Sequence, residues 1–306
     1  MIPKKNTTLV VLAFLAIYLI WGSTYLLNKI AVQELPPFML ASLRFVTASA
    51  LIFIIAKILG IGLHITKRQF LNCGIAGFLF LTLGNGGVVW ALRFVDSGFT
   101  ALEISAQPLV VLLLMWILQG KKIRPTSMIG VVLGIIGIYL LVSQKEIVSK
   151  EGTLLGVVII FICMLSWAYS SLFVSKADLP KNFFVNTGYQ MLIGGLLLSV
   201  VSLILGESWT SPIEWKSETQ WSMLILIVFG SVLAFTSFNY LLKVVSPEKV
   251  ATSTYVNPIV AMILGWYFLD EKVTMQSAIA AVILLSGVYF VNTKKELIKM
   301  SGSKKS

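Results

Sequence analysis

Ten stretches of about 20 residues, each almost free of charge, follow one another along this chain: 8–28, 38–58, 70–91, 98–118, 126–144, 153–174, 184–205, 221–242, 250–269 and 275–292. A bilayer core about 30 Å thick needs roughly 20 apolar residues of helix to cross it. The stretches are continuously apolar rather than alternating, which predicts helices and not the strands of a barrel. The boundaries carry charge or proline, as at Pro36-Pro37, Lys67-Arg68, Lys121-Lys122 and Asp270-Glu271-Lys272. Composition agrees: 57% of residues are apolar and 12% charged, against about 45–50% and 25% in a soluble domain. Too few polar groups remain to clothe a water-soluble surface. The expected fold class is an all-α polytopic membrane protein with ten transmembrane helices.

The same arithmetic excludes several functions. Cys73 and Cys163 lie in apolar stretches without a CxxC spacing, and His64 is the only histidine. No metal site, disulfide, cofactor or serine–histidine–acid triad is expected. There is no GxxxxGK[ST] phosphate loop for ATP hydrolysis. The net charge of +11 is read as charge held at the inner membrane face, not as a nucleic-acid footprint. Lys4 and Lys5 precede an apolar run with no small-x-small cleavage pattern, so the first stretch reads as a retained span.

Basic residues set the orientation. With the N-terminus in the cytoplasm, 17 Lys and Arg fall inside and 6 outside, while acids divide 3 inside and 9 outside. Both termini are therefore expected in the cytoplasm, the C-terminal basic tail lying near anionic lipid.

The chain also repeats itself. Residues 91–141 align with 241–291 at a shift of 150, matching Pro108 with Pro258, Trp116 with Trp266, Lys122 with Lys272, Gly137 with Gly287 and Tyr139 with Tyr289. At a shift of 146, Trp21 falls on Trp167 and Arg44 on Gln190. Each half holds five spans. Five is odd, so the second copy enters the membrane from the opposite face. Two inverted five-helix repeats commonly build a transporter, with the site near the midplane between the halves. An old duplication without functional symmetry is the alternative.

These residues resemble a known family. Trp21-Gly22-Ser23-Thr24, Lys29, Pro36-Pro37 and Arg44-Phe45, then Pro108, Asn257-Pro258 and Leu269-Asp270-Glu271-Lys272, are similar in order and spacing to the EamA branch of the drug/metabolite transporter superfamily. The resemblance spans residues 8–292. It implies EamA-like repeats at 1–145 and 150–293, followed by a cytoplasmic tail at 294–306. It also implies a multi-pass protein of the bacterial plasma membrane that transports small metabolites, often as an exporter. Where the family often carries Gly-Glu after the fourth span, this chain has Gln119-Gly120-Lys121; Glu271 keeps the acid in the second half.

Polar residues inside spans are expensive and so are candidate site residues. Arg44, about two turns into the second span, reads either as an anchor for a carboxylate or phosphate or as a structural arginine. Glu103 shares a predicted helix face with Gln107, just before Pro108. It reads as a proton-coupling carboxylate or amine anchor, or as the ion-pair partner of Lys29 or Arg93. The repeat partners of Glu103 and Gln107 are Ser253 and Asn257. Gly84-Asn85-Gly86-Gly87 reads as a close-packing segment in which Asn85 is a candidate ligand. Asn239 and Tyr240 lie about one turn beyond its repeat equivalent, and Gln190 takes the place of Arg44. Trp21, Trp90, Trp167, Tyr169 and Tyr255 are candidates for stacking on a ligand, or pack helices. Trp209, Trp215, Trp221 and Tyr289 read as interfacial anchors.

The expected function is secondary active transport of a small metabolite by alternating access, driven by protons or by exchange. Export of amino acids or related compounds is what the resemblance implies. The expected partners are a small-molecule substrate, lipid and protons, with no nucleic acid; oligomeric state is left open. An intramembrane enzyme lacks HExxH, a Cys–His pair or paired intramembrane acids. A non-transporting assembly subunit is the third reading.

Overall fold

The computed structural model describes residues 7–120, 125–144 and 151–292. The helices are α1 (Thr7–Val32), α2 (Pro37–Ile58), α3 (Lys67–Ala91), α4 (Ser97–Gln119) and α5 (Pro125–Val142), then α6 (Thr153–Val174), α7 (Phe183–Ile204), α8 (Ser217–Val244), α9 (Asn257–Leu269) and α10 (Met275–Asn292). Seven of them, α1–α4 and α6–α8, are long and apolar enough to cross a membrane. The apolar stretches of α5, α9 and α10 are shorter.

Local chemistry starts several helices. Pro37 opens α2 at a position where its missing N–H costs nothing. Thr66 and Gln69 form a reciprocal capping box ahead of α3. Asn182 caps α7 through the Phe184 N–H at 2.9 Å.

The predicted stretches coincide with helices apart from a break within 98–118 and the first part of 250–269. There the chain forms a short helix, Pro247–Val250, and a 3₁₀ turn, Ala251–Tyr255, before α9 begins. Pro258 explains this, because a proline disfavours α-helix in the residues just before it and lacks the N–H that would continue the ladder. α4 breaks in the same way at Ser105-Ala106, ahead of Gln107-Pro108.

Two other irregularities come as a pair. The middle of α3, Phe78–Asn85, and of α8, Leu226–Leu233, is wound as π-helix, the two segments starting 148 residues apart. A wide turn loosens the ordinary helical ladder, and the α3 carbonyls find partners in α6. Ser166 donates to the Leu79 carbonyl at 2.7 Å and Cys163 to that of Leu83 at 3.2 Å. In α8 the Gly230 carbonyl accepts from Trp21 of α1 at 3.4 Å. Trp167, aligned with Trp21 by the sequence repeat, packs instead on Phe80 of the α3 segment, ring centroids 4.9 Å apart.

The two most extensive interfaces join α2 to α7 and α5 to α10. α1 buries Val10, Ala13 and Ile17 while Leu12, Leu15 and Leu19 are exposed. In water such a stripe would drive association; beside lipid it is an ordinary outer surface. Trp209, Trp221 and Tyr289 are exposed, as expected of anchors, but Trp215 is buried and donates to Thr210 at 2.9 Å. It packs with Met223 and Leu226 of α8 and Leu35 of the α1–α2 loop, so its place is set by tertiary packing rather than by the interface.

Candidate functional site

A cavity of about 90 Å³ lies where the irregular segments converge. α1 contributes Trp21, Thr24, Tyr25 and Asn28, and α2 contributes Arg44. Gly84, Asn85 and Val88 come from α3, and Ile104 and Gln107 from the two sides of the break in α4. α6 supplies Cys163, Met164 and Trp167, while Thr254 and Asn257 stand at the entry to α9. The two helix breaks meet here, since the Thr254 hydroxyl approaches the Ser105 carbonyl at 3.4 Å as well as bonding Ala251 in its own turn. Paired broken helices are a recurrent way to bring backbone and side-chain polar groups to one point inside a membrane.

The walls are held from both halves. Trp21 and Trp167 meet edge to face at 5.8 Å, and Phe238 packs on both. Arg44 is 3% exposed; its Nε donates to Ser231 Oγ at 2.8 Å and its Nη1 to Asn28 Oδ1 at 3.4 Å. Both acceptors are neutral. Asn28 in turn donates to the Thr24 carbonyl at 2.7 Å. Gln107 donates to the Met164 carbonyl at 3.3 Å. The Asn257 amide donates to the carbonyls of Tyr18 and Ser253, at 3.2 and 3.3 Å, when its nitrogen faces them. Asn85 Oδ1 is buried without a partner.

Six of the expected residues therefore line one cavity: Trp21, Arg44, Asn85, Gln107, Trp167 and Asn257. The others whose side chains are described lie elsewhere. Glu103 is 1% exposed and its Oε2 has no partner, but it does not line the cavity. The break at Ser105-Ala106 interrupts the helical register that would have put Glu103 and Gln107 on one face. Lys29 donates to the carbonyls of Leu92 and Val95, at 2.6 and 2.8 Å, at the C-terminal end of α3. The carbonyl end of a helix attracts a cation.

Gln190 and Asn239 bond one another at 3.1 Å within a closed cluster that includes Asn186 and Thr187. All four are fully buried. Tyr240 packs against Phe183, Trp90 against Phe94, and Ser253 is buried without lining the cavity. Tyr169 is 46% exposed on the outer surface. The side chain of Tyr255 lies outside the described residues.

Thr24, Tyr25, Asn28, Val88, Ile104, Cys163, Met164 and Thr254 also line the cavity without having been singled out from sequence as site candidates. One signal for them existed: Trp21, Thr24, Tyr25 and Asn28 fall at i, i+3, i+4 and i+7, a single face of α1.

Among the described residues no cluster of His, Cys, Asp and Glu is placed to hold a metal ion. Cys73 and Cys163 are both free and buried.

Comparison with known proteins follows the same lines. The EamA-like transporter family matches residues 8–143 and again 154–293. An Escherichia coli K12 protein named as an uncharacterized inner membrane transporter, YedA, is 33% identical over 286 residues, covering 93% of this chain and 91% of its own. A second protein from that strain, named "Probable amino-acid metabolite efflux pump", is 26% identical over 294 residues, covering 91% of this chain and 93% of its own. A crystal structure at 19% identity superposes with a TM-score of 0.69 over 94% of this chain and 97% of that one, a likeness of fold alone. By its residues, by its twofold match and by its relatives, the chain belongs to the EamA-like transporter family.

Proposed function

We propose that this protein is a secondary active transporter that exports small metabolites, amino acids or related compounds, across a bacterial inner membrane. Ten spans form two inverted five-helix repeats, residues 1–145 and 150–293, and alternate access to the cavity between them. The observation that carries the reading is the cavity itself, enclosed by α1–α4 from one half and by α6 and the α9 entry from the other where two broken helices meet. The matched π-segments and the Gly120 and Asp270 left-handed caps, 150 residues apart, support the repeat. The name of one relative supports the substrate group. Reconstitution tests it: labelled amino acids should cross liposomes only when the protein is present. Failure of any solute in a broad metabolite panel to cross would overturn the reading.

The orientation has its own test. Cys73 and Cys163 are buried, so a single cysteine introduced near each terminus reports alone. Both are expected to react from the cytoplasmic side only. Labelling from opposite sides would remove the inverted repeat.

Glu103 is the proposed coupling group. A buried carboxyl with an uncommitted oxygen, next in sequence to Ile104 of the cavity wall, is suited to take up and release a proton as α4 moves at its break. Glu103→Gln mimics the protonated acid and cannot cycle. It should abolish accumulation driven by a pH gradient while leaving solute exchange within about twofold of normal, the side chain being outside the cavity. Retained pH-driven accumulation in this variant removes Glu103 from coupling.

A further inference from the structure

Arg44 differs from the charged side chains that hold helix ends and chain carbonyls. Glu34 accepts from Lys216 N–H at 3.1 Å at the start of α8 and from Thr219 Oγ1. Glu207 accepts from the N–H groups of Phe38 and Met39, at 3.2 and 2.7 Å, at the start of α2. Glu271 does the same for α4, through Ser97 N–H at 2.7 Å and Gly98 N–H at 3.0 Å. Lys29 sits on carbonyls closing α3, and Lys243 on those of Pro180 and Lys181. Each of these charges faces a helix end or chain carbonyls of complementary polarity. Arg44 instead lies within α2, and its hydrogen-bond acceptors are one hydroxyl and one amide oxygen. Phe45 offers its ring at 4.9 Å, a weak compensation.

A guanidinium carries five N–H donors in a planar fork. One at Nε and one at Nη1 are used, so the rest of the fork is uncommitted. Arg44 is also the single charged residue among those lining the cavity. A cation at this depth is costly unless an anion pairs with it, and a fork of this shape matches a carboxylate. One cation matches a monoanion better than a phosphate dianion. Asn85 also lines the cavity, and its Oδ1 is a buried acceptor with no donor. Both missing partners are of kinds that one small solute supplies.

We infer that the cavity recognises its solute by a carboxylate set on Arg44 and an α-ammonium or α-hydroxyl donor set on Asn85 Oδ1, so that an amine lacking the carboxylate is refused. This rests on the transport reading and specifies what the cavity selects. The size agrees. About 90 Å³ has room for several waters but is far below the roughly 300–1,000 Å³ that encloses a drug-sized ligand. A compact charged head therefore decides recognition. The apolar part of the solute meets Val88, Ile104, Met164 and the two tryptophans.

The test uses the full chain. A thermal-shift screen of the proteinogenic amino acids selects one skeleton. The matched set on that skeleton is the amino acid, its α-hydroxy acid, the acid without an α-substituent and the decarboxylated amine. Each competes against the labelled amino acid in counterflow by proteoliposomes.

The amino acid and hydroxy acid should compete at least about tenfold better than the unsubstituted acid, and the amine should not compete. Arg44→Gln should weaken the amino acid on the order of 100-fold, the size of loss found when one partner of a buried charge pair is removed. Arg44→Lys should recover part of it. Asn85→Ala should keep the carboxylate requirement but erase the gap between the amino acid and the unsubstituted acid. A merely structural role for either residue would weaken every competitor in proportion and leave the ranking unchanged.

Equal competition by the amine, an unaltered ranking in Arg44→Gln, or an intact gap in Asn85→Ala overturns the inference. So does carriage of some other solute class with no binding of amino or hydroxy acids; transport itself would then stand. Absence of any carried solute sinks the transport reading instead.

Discussion

Replacing Gly77 with leucine is expected to destabilise the protein by about 3 kcal/mol or more, the upper range for overpacking where nothing can move aside. α3 crosses α7 at Gly77 and Gly194 with the two backbones in direct contact. A Cβ at Gly77 would collide with the Gln190 carbonyl, and one at Gly194 would stand 2.8 Å from the Gly77 carbonyl. Side chains can adopt other rotamers; these obstacles are backbone. Small residues allow this approach, and helices in lipid depend on close packing because the surrounding chains offer no hydrophobic contrast. Gly74 is the control. A Cβ there meets the Ile193 side chain at 3.7 Å, an ordinary contact, so Gly74→Ala should be within about 0.5 kcal/mol of neutral. Thermal unfolding in detergent, with size-exclusion chromatography for monodispersity, reads both. A Gly77→Leu protein that melts with the parent would show that α3 and α7 do not cross here.

Glu271→Ala is the second large effect, about 2–3 kcal/mol from the loss of a charged helix cap. The carboxylate lies between the end of α9 and the start of α4, accepting from Ser97 N–H, Gly98 N–H and, at 2.9 Å, Ser97 Oγ. Asp270 takes a left-handed conformation, φ 53°, the only non-glycine residue to do so among those described, and this turn aims Glu271 back across the interface. Gly265 leaves the space it occupies: a Cβ there would run into the carboxylate and come within 2.8 Å of Ser97 Oγ. Glu271→Gln keeps an acceptor but loses the charge, so it should fall between wild type and Ala. Transport should drop with stability, because the segment this cap holds, Ser97–Ile104, ends at the break beside the cavity. Full stability and transport in Glu271→Ala would reduce the cap to a surface contact.

Glu271 also illustrates how far local pattern reaches. Its motif, Leu269-Asp270-Glu271-Lys272, is visible as a helix end and as a mark of family. That it caps a helix 174 residues earlier in the chain is not visible, since nothing near either residue encodes the other. Arg44 and Asn85 stand out in sequence because charge or amide inside an apolar run is expensive anywhere in lipid. Gln190 and Asn239 stand out for the same reason, yet they satisfy each other within the closed amide cluster and do not line the cavity. Price alone does not separate a ligand from a structural group; the available partners do. Glu103 and Gln107 show a related limit. Four residues apart, they would share a face on a continuous helix, and the break ahead of Pro108 separates them.

Hydropathy, charge spacing and the internal repeat were enough to establish apolar membrane helices, the likeness between the halves and a short set of costly polar residues. Each is a property of residues close in sequence or of plain residue identity. Which side of each helix turns inward was settled only by packing. In water, an apolar stripe against a polar face announces that side. Here the outer surface exposes Leu12, Leu15 and Leu19 much as the interior buries Val10, Ala13 and Ile17, and the contrast is gone. Tyr169 on the outside, Thr24, Tyr25 and Asn28 around the cavity, and the meeting of the two helix breaks were decided by how helices distant in the chain fit together.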